Sequence, residues 1–530
     1  MIVGELLFVL HAHLPFVRHP EEPVFLEESW LFEAITETYI PLLERLDRMH
    51  REGIPARLTM TWSPPLCEML VDPLLMERYR RHVGRLLDLA EQEVPAKAHS
   101  PFAEAAVMYR DHFRYCLAML DRHGTIINWV RNLVEAGVIE AITCGATHGY
   151  LPLMITDEAR NAQIAVAVAN FRKHFHRAPR GIWLPECGYQ PGIEQLLRRH
   201  NIRFFFVESH GIYFGSPRPR YGVYAPVYTR SGVAAFGRDP ESSRSVWSAE
   251  SGYPGSAPYR EFYRDLGYDG DYDYVRNFLH PDGIRRDLGL KYHAVTGKVS
   301  LDQKRPYQPT EAFGLAMRHG QEFITQRLHQ CRHLRAILNR SPVVVAPYDA
   351  ELFGHWWYEG PQFIESALRA VAACPELVAT TPTRYLEANS LHQVVTPCAS
   401  SWGDNGYSGV WINPTNDWSY RHLHAAEERM RSCAAAHPQA SGLTRRILNQ
   451  MARELLLAQS SDWAFILTTN TSPAYASRRI RDHINRFTGL YDMLQQGSQD
   501  PDLLGPIEWR DSIFQEIDYR VYGPDGAPGS

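Results

Sequence analysis

Short apolar runs alternate with longer amphipathic stretches along the first 400 residues. The short runs are almost continuously apolar, which is typical of strands that are buried on both faces. Strands of this kind, separated by helices, form parallel sheets from βα units. The predicted strands are 5–13, 56–62, 139–145, 181–186, 202–208, 293–297 and 342–349. Seven strands predict an α/β fold, an incomplete TIM-like (β/α)7 barrel one unit short of the full eight.

Several segments depart from this rhythm. Residues 66–138 show more helical periodicity than one crossover needs, which predicts a helical insertion within a barrel domain spanning 1–400. Residues 212–290 are rich in Gly, Pro, Tyr and Asp, and a loop region of this length usually forms a substrate wall or lid. A Trp-rich stretch then opens a predicted C-terminal helical domain over 401–522. We expect residues 523–530 to form a disordered tail.

Charge and hydropathy exclude several classes of protein. The net charge of −5 argues against nucleic acid and anionic membrane as partners, because both select for clustered Lys and Arg. No run approaches the roughly 18 apolar residues of a membrane span. The N-terminal run lacks a basic region and soon meets two histidines, so we interpret it as a buried strand and not a signal peptide.

Cysteine and aromatic usage narrow the picture further. The eight cysteines are scattered and form no C-x-x-C pair, which predicts a reduced, cytoplasmic protein without a disulfide framework or a zinc knuckle. The 12 Trp and 27 Tyr indicate either a large aromatic core or surfaces that stack on sugar rings. Composition alone favours the core.

Polar side chains follow most of the predicted strands directly. Because barrel enzymes place their chemistry at the carboxyl ends of the strands, this recurrence predicts one functional face. The residues concerned are His11, His13, Trp62, His148, Glu186, Glu208, His210 and Asp349.

The first motif is HAHLPF at 11–16. His11 and His13 are one residue apart on a strand and therefore point to the same side. They could ligate a metal or hydrogen-bond to sugar hydroxyls. A lone histidine here would more often be a buried structural residue, but a pair at a strand end favours a functional role.

The second motif is GIWLPECGY at 181–189. Glu186 follows an apolar strand and Pro185, and we expect Trp183 and Tyr189 to wall it in. A partly desolvated carboxylate in that position suits a nucleophile or an acid. The alternative is a glutamate held in a salt bridge at the end of the sheet.

The third motif is APYDAELFGHWWYEG at 346–360. Asp349 ends the most apolar strand, and Glu351, His355 and Trp356 follow it closely. Retaining glycosidases need two carboxyl groups roughly 5–5.5 Å apart, one as nucleophile and one as acid. Barrel closure can bring Glu186 and Asp349 together, with Glu351 as the competing acid.

These motifs, with GATHGYLPL at 145–153 and AQSSDWAF at 458–465, resemble in order the five signature regions of glycoside hydrolase family 57. The resemblance implies a (β/α)7 barrel, a helical insertion, a C-terminal helical domain, retention of configuration, no metal and no cofactor. It implies Glu186 as nucleophile and Asp349 as general acid/base. The residues that would line or support the donor site are His11, His13, His148, Trp183, Asp462 and Trp463.

Within this family the sequence is most similar to the 1,4-α-glucan branching enzymes and to related α-amylases, and 4-α-glucanotransferase activity is a further alternative. The implied partner is an α-1,4-glucan, as donor and acceptor. In the branching enzymes, C-terminal tryptophans and a loop bearing a tyrosine shape the acceptor side. Trp402, Trp411 and Trp418 predict a sugar-stacking groove. The corresponding loop, 231–248, has Ala-Ala-Phe near its expected tip at 234–236 and no Tyr, which favours hydrolysis.

Two functions from other classes remain possible on the sequence. A metal-dependent hydrolase, like the family 38 mannosidases or polysaccharide deacetylases, could use His11, His13 and an aspartate as ligands. HAHLPF contains no aspartate, which argues against that class. A non-catalytic glucan-binding protein is the other alternative, and the presence of both Glu186 and Asp349 argues against it.

Overall fold

The computed structural model describes residues 2–248, 252–498, 500–524 and 526. Within that part of the chain, nine strands alternate with helices. The strands are β1 (Gly4–Ala12), β2 (Leu58–Trp62), β3 (Ile139–Ile142), β4 (Gly181–Ile182), β5 (Phe204–Val207), β6 (Val227–Tyr228), β7 (Ala234–Gly237), β8 (Val343–Asp349) and β9 (Leu377–Ala379).

The helices account for most of the remaining chain. They are α1 (Glu28–Glu33), α2 (Ile40–Arg51), α3 (Pro64–Val71), α4 (Pro73–Lys97), α5 (Ala103–His123), α6 (Ile126–Glu135), α7 (Asp157–Phe175), α8 (Ile193–Arg199), α9 (Ser209–Tyr213), α10 (Pro240–Trp247), α11 (Leu266–Asp269), α12 (Tyr272–Val275), α13 (Pro309–Leu338), α14 (Gly360–Ala373), α15 (Pro382–Ala388), α16 (Tyr420–Ala436), α17 (Gly442–Ala458), α18 (Ser461–Thr469), α19 (Pro473–Gln495) and α20 (Pro501–Arg510).

The strands form two sheets, and all pairs are parallel except β6 with β7. The first sheet has the order β3-β2-β1-β8, with β9 also paired to β1. The second has the order β4-β5-β7-β6. Backbone hydrogen bonds connect the sheets: Thr143 N donates to Gly181 O (3.2 Å), Trp183 N donates to Thr143 O (2.8 Å), and Asp239 N donates to Val345 O (2.9 Å). The fold is therefore α/β with parallel sheets, followed by a helical C-terminal region.

The register of the central strands fixes the position of the motif residues. In the β1–β8 pair, His11 lies opposite Asp349. In the β1–β2 pair, His11 lies opposite Thr61. Because these strands are parallel, their carboxyl ends lie at the same edge of the sheet. β1 is buried along almost its whole length, as its apolar run predicts.

One predicted strand is wrong. Residues 293–297 form no strand; His293 and Ala294 only make isolated antiparallel bridges, to Pro306 and Arg260. The predicted set lacks β6, β7 and β9. Of these, β7 pairs with β5 and is fully buried. Its Ala-Ala-Phe-Gly sequence lies where we expected the tip of a loop. Small residues flanked by Gly carry almost no strand signal, so only pairing with β5 reveals this strand.

Long helices occupy the segments with helical periodicity. Helices α3 to α6 lie between β2 and β3, and α16 to α20 follow residue 419. Local sequence explains where some begin: Asp72 precedes Pro73, and its side chain accepts a hydrogen bond from Leu75 N at the start of α4 (3.0 Å). Of the expected tail, residues 525 and 527–530 lie outside the described residues.

The C-terminal helices share one continuous apolar core with the strands. That core includes Leu10 from β1, Leu43 from α2 and Leu455 from α17. Since Thr147 contacts Leu456 of α17 and Glu186 contacts Ser461 of α18, residues far apart in sequence meet at the carboxyl ends of the strands. No helix within the described residues is long and apolar enough to cross a membrane.

Candidate active site

The backbone is strained where the chain presents its motif residues. Glu186, Cys187 and His148 have positive φ values of 61°, 50° and 58°. Non-glycine residues adopt this left-handed conformation rarely, and such residues cluster at functional sites. Glu186 lies in a short 3-10 turn just after β4, and the turn directs its side chain into the molecule. The strain is held by surrounding packing, since Glu186 is buried.

Two neutral donors hold the Glu186 carboxylate. Trp402 Nε1 donates to Oε2 (2.7 Å) and Ser461 Oγ donates to Oε1 (2.8 Å). The backbone N of Trp402 also donates to the Glu186 carbonyl (2.9 Å). Burial raises the pKa of Glu186, and the two side-chain hydrogen bonds oppose that rise. The carboxylate is fixed in orientation without a direct arginine or lysine partner.

Asp349 has a stronger tendency to be protonated. It ends β8 and faces a cluster of acids. Burial raises its pKa well above 3.8, the nearby Glu351 and Glu186 carboxylates raise it further, and Arg238 opposes them. Two carboxyl groups whose environments separate their pKa values in this way are suited to different roles, one as an anion and one as a proton donor.

Glu351 is the third carboxyl group of the cluster. Tyr39 OH donates to its Oε1 (2.5 Å), and His13 N donates to the same atom (3.2 Å). Burial raises the pKa of Glu351 to about 7, although the Tyr39 hydrogen bond lowers it. Tyr39 ends a π-helical turn, Ala34–Tyr39, and such turns are frequent at functional sites.

Three histidine rings and one tryptophan ring form a stack beside Glu186. His11 lies on Trp183 with ring centroids 4.8 Å apart, and His13 lies on His148 at 3.8 Å. His11 Nε2 and His148 Nε2 are 2.9 Å apart. Gln163 from α7 supports the loop of His148, because its Oε1 accepts from Thr147 N (3.1 Å).

The histidines differ in their electrostatics. Burial lowers the pKa of His11 and of His148 well below 6.5, and the neighbouring histidine rings lower both pKa values further. For His13, burial also acts to lower the pKa, but Asp462 more than compensates and raises it. His13 Nε2 lies 3.0 Å from Asp462 Oδ2, and its Nδ1 contacts Ser63 Oγ at 2.9 Å. Asp462 therefore favours the protonated form of His13, and Asp462 itself has a pKa of about 2.

Three residues expected at the site lie in the core instead. Tyr189 is 1% exposed and donates its hydroxyl to Glu194 Oε2 (2.9 Å). Trp411, also 1% exposed, stacks on Tyr150 at 4.9 Å. Trp463 donates Nε1 to Leu457 O (2.8 Å). The interpretation of Trp411 as part of a surface groove is wrong, because the tertiary structure covers its loop.

Of the other expected aromatic residues and histidines, two tryptophans lie next to Glu186, and the rest have partners outside the acid cluster. Trp183 and Trp402 contact each other edge to face at 5.1 Å, next to Glu186. Trp356 is 55% exposed and stacks on Phe262 at 4.4 Å. His355 Nδ1 lies 2.8 Å from Glu37 Oε2. Trp418 is half-buried beneath Arg481, whose guanidinium lies 5.3 Å from its ring.

Sequence reasoning missed Tyr39, Ser461 and Arg238. Ser461 lies within a motif that we had recognised, AQSSDWAF, but a serine beside an aspartate carries no distinctive signal. Tyr39 lies in a stretch to which no role was assigned. Only the packing of α18 and of the π-helical turn reveals Ser461 and Tyr39, and only the position of β7 brings Arg238, which follows it, near Asp349.

Two groups of side chains in the site have metal-ligand composition. The first is His11, Cys144 and His148, and the second is His13, His148 and Asp462. The 2.9 Å contact between His11 Nε2 and His148 Nε2 requires a proton on one of these two atoms. These nitrogens therefore act as hydrogen-bond partners to one another in this arrangement, which does not suit joint ligation of one ion.

Comparison with known proteins gives matches along the whole chain. Residues 7–394 match the model of glycosyl hydrolase family 57, and residues 422–522 match the C-terminal domain of 1,4-alpha-glucan branching enzymes. A 1,4-alpha-glucan branching enzyme of Thermococcus kodakarensis is 34% identical, with 99% of this chain and 79% of that protein covered.

Solved structures agree with these matches. The alpha-amylase AmyC from Thermotoga maritima is 46% identical with a TM-score of 0.92, over 98% of this chain and 99% of AmyC. A branching enzyme of family 57 from Pyrococcus horikoshii is 33% identical with a TM-score of 0.88, over 100% and 98%. The predicted family is confirmed: this chain belongs to glycosyl hydrolase family 57.

Proposed function

We propose that the chain is a retaining 1,4-α-glucan branching enzyme. The observation that carries the proposal is the buried acid cluster at the carboxyl ends of β4 and β8, with Glu186 fixed by two neutral donors and Asp349 favouring its protonated form. The branching enzymes among the relatives and the match of 422–522 to a branching-enzyme domain support this substrate class.

The reaction uses the two carboxyl groups in turn. The Glu186 carboxylate attacks the anomeric carbon while Asp349 protonates the departing glycosidic oxygen, which leaves a covalent glycosyl-enzyme. Asp349, now ionised, deprotonates the 6-hydroxyl of an acceptor glucan, and that oxygen displaces Glu186 with net retention. The products are a shortened donor chain and an α-1,6 branch.

The proposed donor site lies among the stacked rings. His11, His13, His148 and Asp462 surround Glu186 with polar atoms, and Trp183 and Trp402 supply aromatic walls. The exposed Trp356, stacked on Phe262, offers a flat apolar surface on which a glucan chain can pack. Glu351 and His355 contribute indirectly, through their contacts with Tyr39 and Glu37.

We further propose that the two sheets belong to one incomplete (β/α)7 barrel. The hydrogen bonds from Trp183 to Thr143 and from Asp239 to Val345 support this view, because they connect β4 to the end of β3, and the end of β7 to β8. The seven parallel strands of that circuit are β1, β2, β3, β4, β5, β7 and β8. All eight cysteines are free, which supports the proposed cytoplasmic location.

A second candidate function is α-amylase activity, favoured by the 46% identity to AmyC. The two functions differ only in the acceptor, a glucan hydroxyl or water. Incubation with amylose followed by proton NMR separates them. We expect new α-1,6 anomeric signal with few new reducing ends. Abundant reducing ends without α-1,6 signal would establish hydrolysis. The absence of both signals would contradict both functions.

A further inference from the structure

Ser461 lies between the Glu186 carboxylate and the His148 ring. Its Oγ is 2.8 Å from Glu186 Oε1 and 2.7 Å from His148 Nδ1. Two backbone contacts hold it there: Ser461 N donates to His148 O (3.0 Å), and Ser460 bridges Gly149. The left-handed conformation of His148 turns its ring toward this hydroxyl. The serine is therefore fixed relative to both neighbours.

The Ser461 hydroxyl has one proton, and this decides the direction of each hydrogen bond in the series that joins Glu186, Ser461, His148 and His11. An ionised Glu186 only accepts, so Ser461 gives its proton to Oε1. His148 Nδ1 must then donate to Ser461 Oγ. With Nδ1 protonated, a neutral His148 has a lone pair on Nε2, so His11 Nε2 must donate across the 2.9 Å contact.

The series of hydrogen bonds ends at His11 Nδ1, and the surroundings of this atom agree with the direction. His11 is neutral because burial lowers its pKa well below 6.5. If Nε2 carries its proton, Nδ1 is a bare acceptor. His11 Nδ1 is indeed buried and has no hydrogen-bond partner in the described structure. An unprotonated nitrogen tolerates this position better than an N–H group would, although either pays a desolvation cost.

The geometry points to Ser461 as a positioning residue of the nucleophile, at the end of a one-way hydrogen-bond chain from His11 through His148 to Glu186. The chain fixes both imidazole tautomers and aims one donor at the attacking carboxylate. It transfers no proton. The inference rests on the proposed role of Glu186, and the tautomers can be tested without it.

The first test is the pH dependence of kcat/KM in Ser461→Ala, with an aryl α-maltooligoside whose leaving group needs little protonation. Hydrogen bonds to charged groups are stronger than neutral ones, so we expect kcat/KM to fall roughly 10- to 100-fold. The acidic limb should move to higher pH, because Glu186 loses a donor that stabilises its anion. Ser461→Thr should restore most of the activity.

The groups that face Glu186 also titrate, and all except His148, which loses its Ser461 partner, must keep their pKa values in the variant. They are His13, Cys144, His148, Tyr150, Cys187, Asp349 and Asp462. Ser366→Ala is a matched control, since Ser366 is also buried and makes one hydrogen bond, to Met317 O (2.6 Å). It should leave the pH profile as in the wild type. An unshifted acidic limb in Ser461→Ala would refute the positioning role.

The second test is the ¹⁵N NMR spectrum of the imidazoles in the intact protein, assigned with single His11 and His148 variants. We expect a protonated Nδ1 on His148 and a protonated Nε2 on His11. A lone pair on His148 Nδ1 would overturn the chain, because Ser461 would then donate away from Glu186. If the tautomers agree but Glu186→Gln remains active, the failure lies in the proposed nucleophile and not in the chain.

Discussion

Two buried clusters of ionisable groups differ in how their charges are compensated. At the active site, Glu186, Asp349 and Glu351 lie close together, and neutral donors from Trp402, Ser461 and Tyr39 provide most of their hydrogen bonds. The second cluster lies between the C-terminal helices and the start of the chain. Its members are His19, Glu454, Arg479, His483, Arg486 and Asp511.

In the second cluster, arginines and histidines lie among the carboxylates and most polar atoms are paired, although Arg479 Nε has no hydrogen-bond partner within the described residues. Arg479 contacts His19 Nε2 (3.1 Å) and His483 Nε2 (3.0 Å), and Arg486 donates to Asp511 (2.7 Å). His483 Nδ1 in turn lies 2.7 Å from Glu454. Buried polar groups of this kind fix packing when all are satisfied. The candidate active site instead has crowded acids, which cost stability and would supply the proposed nucleophile and acid.

The largest expected effect is on catalysis. Glu186→Gln keeps the size of the side chain but replaces one accepting oxygen with an NH2 group and removes the nucleophile. We expect branching activity on amylose to fall by at least about 10⁴-fold, as for other essential catalytic groups. Glucan binding, measured by calorimetry, should remain. Activity near that of the wild type would contradict the assignment of Glu186.

The second prediction breaks the other cluster. Arg479→Met removes a buried cation, and we expect the free energy of unfolding to fall by about 3–5 kcal/mol, because its partners stay buried without it. Urea titration measures the change. Arg481→Met on the same helix is the control; Arg481 is exposed and covers Trp418, so its loss should cost well under 1 kcal/mol. An equal loss of unfolding free energy in both variants would show that the buried cluster does not stabilise the fold more than an exposed arginine does.

The third prediction concerns the ion pair between His13 and Asp462. Asp462 has a folded pKa of about 2, below its ordinary 3.8, so its stabilisation is present above that ordinary value and is lost as pH falls toward 2. His13 has a raised pKa, so its share is present below 6.5 and is lost as pH rises through the folded value.

The stability difference between wild type and Asp462→Asn should therefore be largest between about pH 4 and 6.5, at about 2 kcal/mol. It should shrink on both sides of that window. Urea unfolding across pH 2–8 measures it. A difference that is independent of pH would show that the two side chains do not interact as charges in the folded protein.

Several parts of the fold and the site follow from the sequence. The runs at 5–13 and 342–349 become β1 and β8, because nearly continuous apolar residues can only lie between two covered faces. Glu186 and Asp349 follow strands, which places them at the carboxyl ends of parallel sheets. In contrast, 293–297 has the composition of a strand and forms none, while β7 forms from Ala-Ala-Phe-Gly.

The sequence by itself determined the family and the alternation of strands and helices, and it predicted the two acids, because these depend on local patterns and ordered motifs. The tertiary structure alone decided which tryptophans are core and which contact Glu186. It also brought Ser461 to a carboxylate 275 positions earlier in the chain. Such partnerships depend on strand register and on the docking of α17 and α18. Burial is encoded in the spacing of apolar residues, whereas the partner of a polar atom is set by the whole fold.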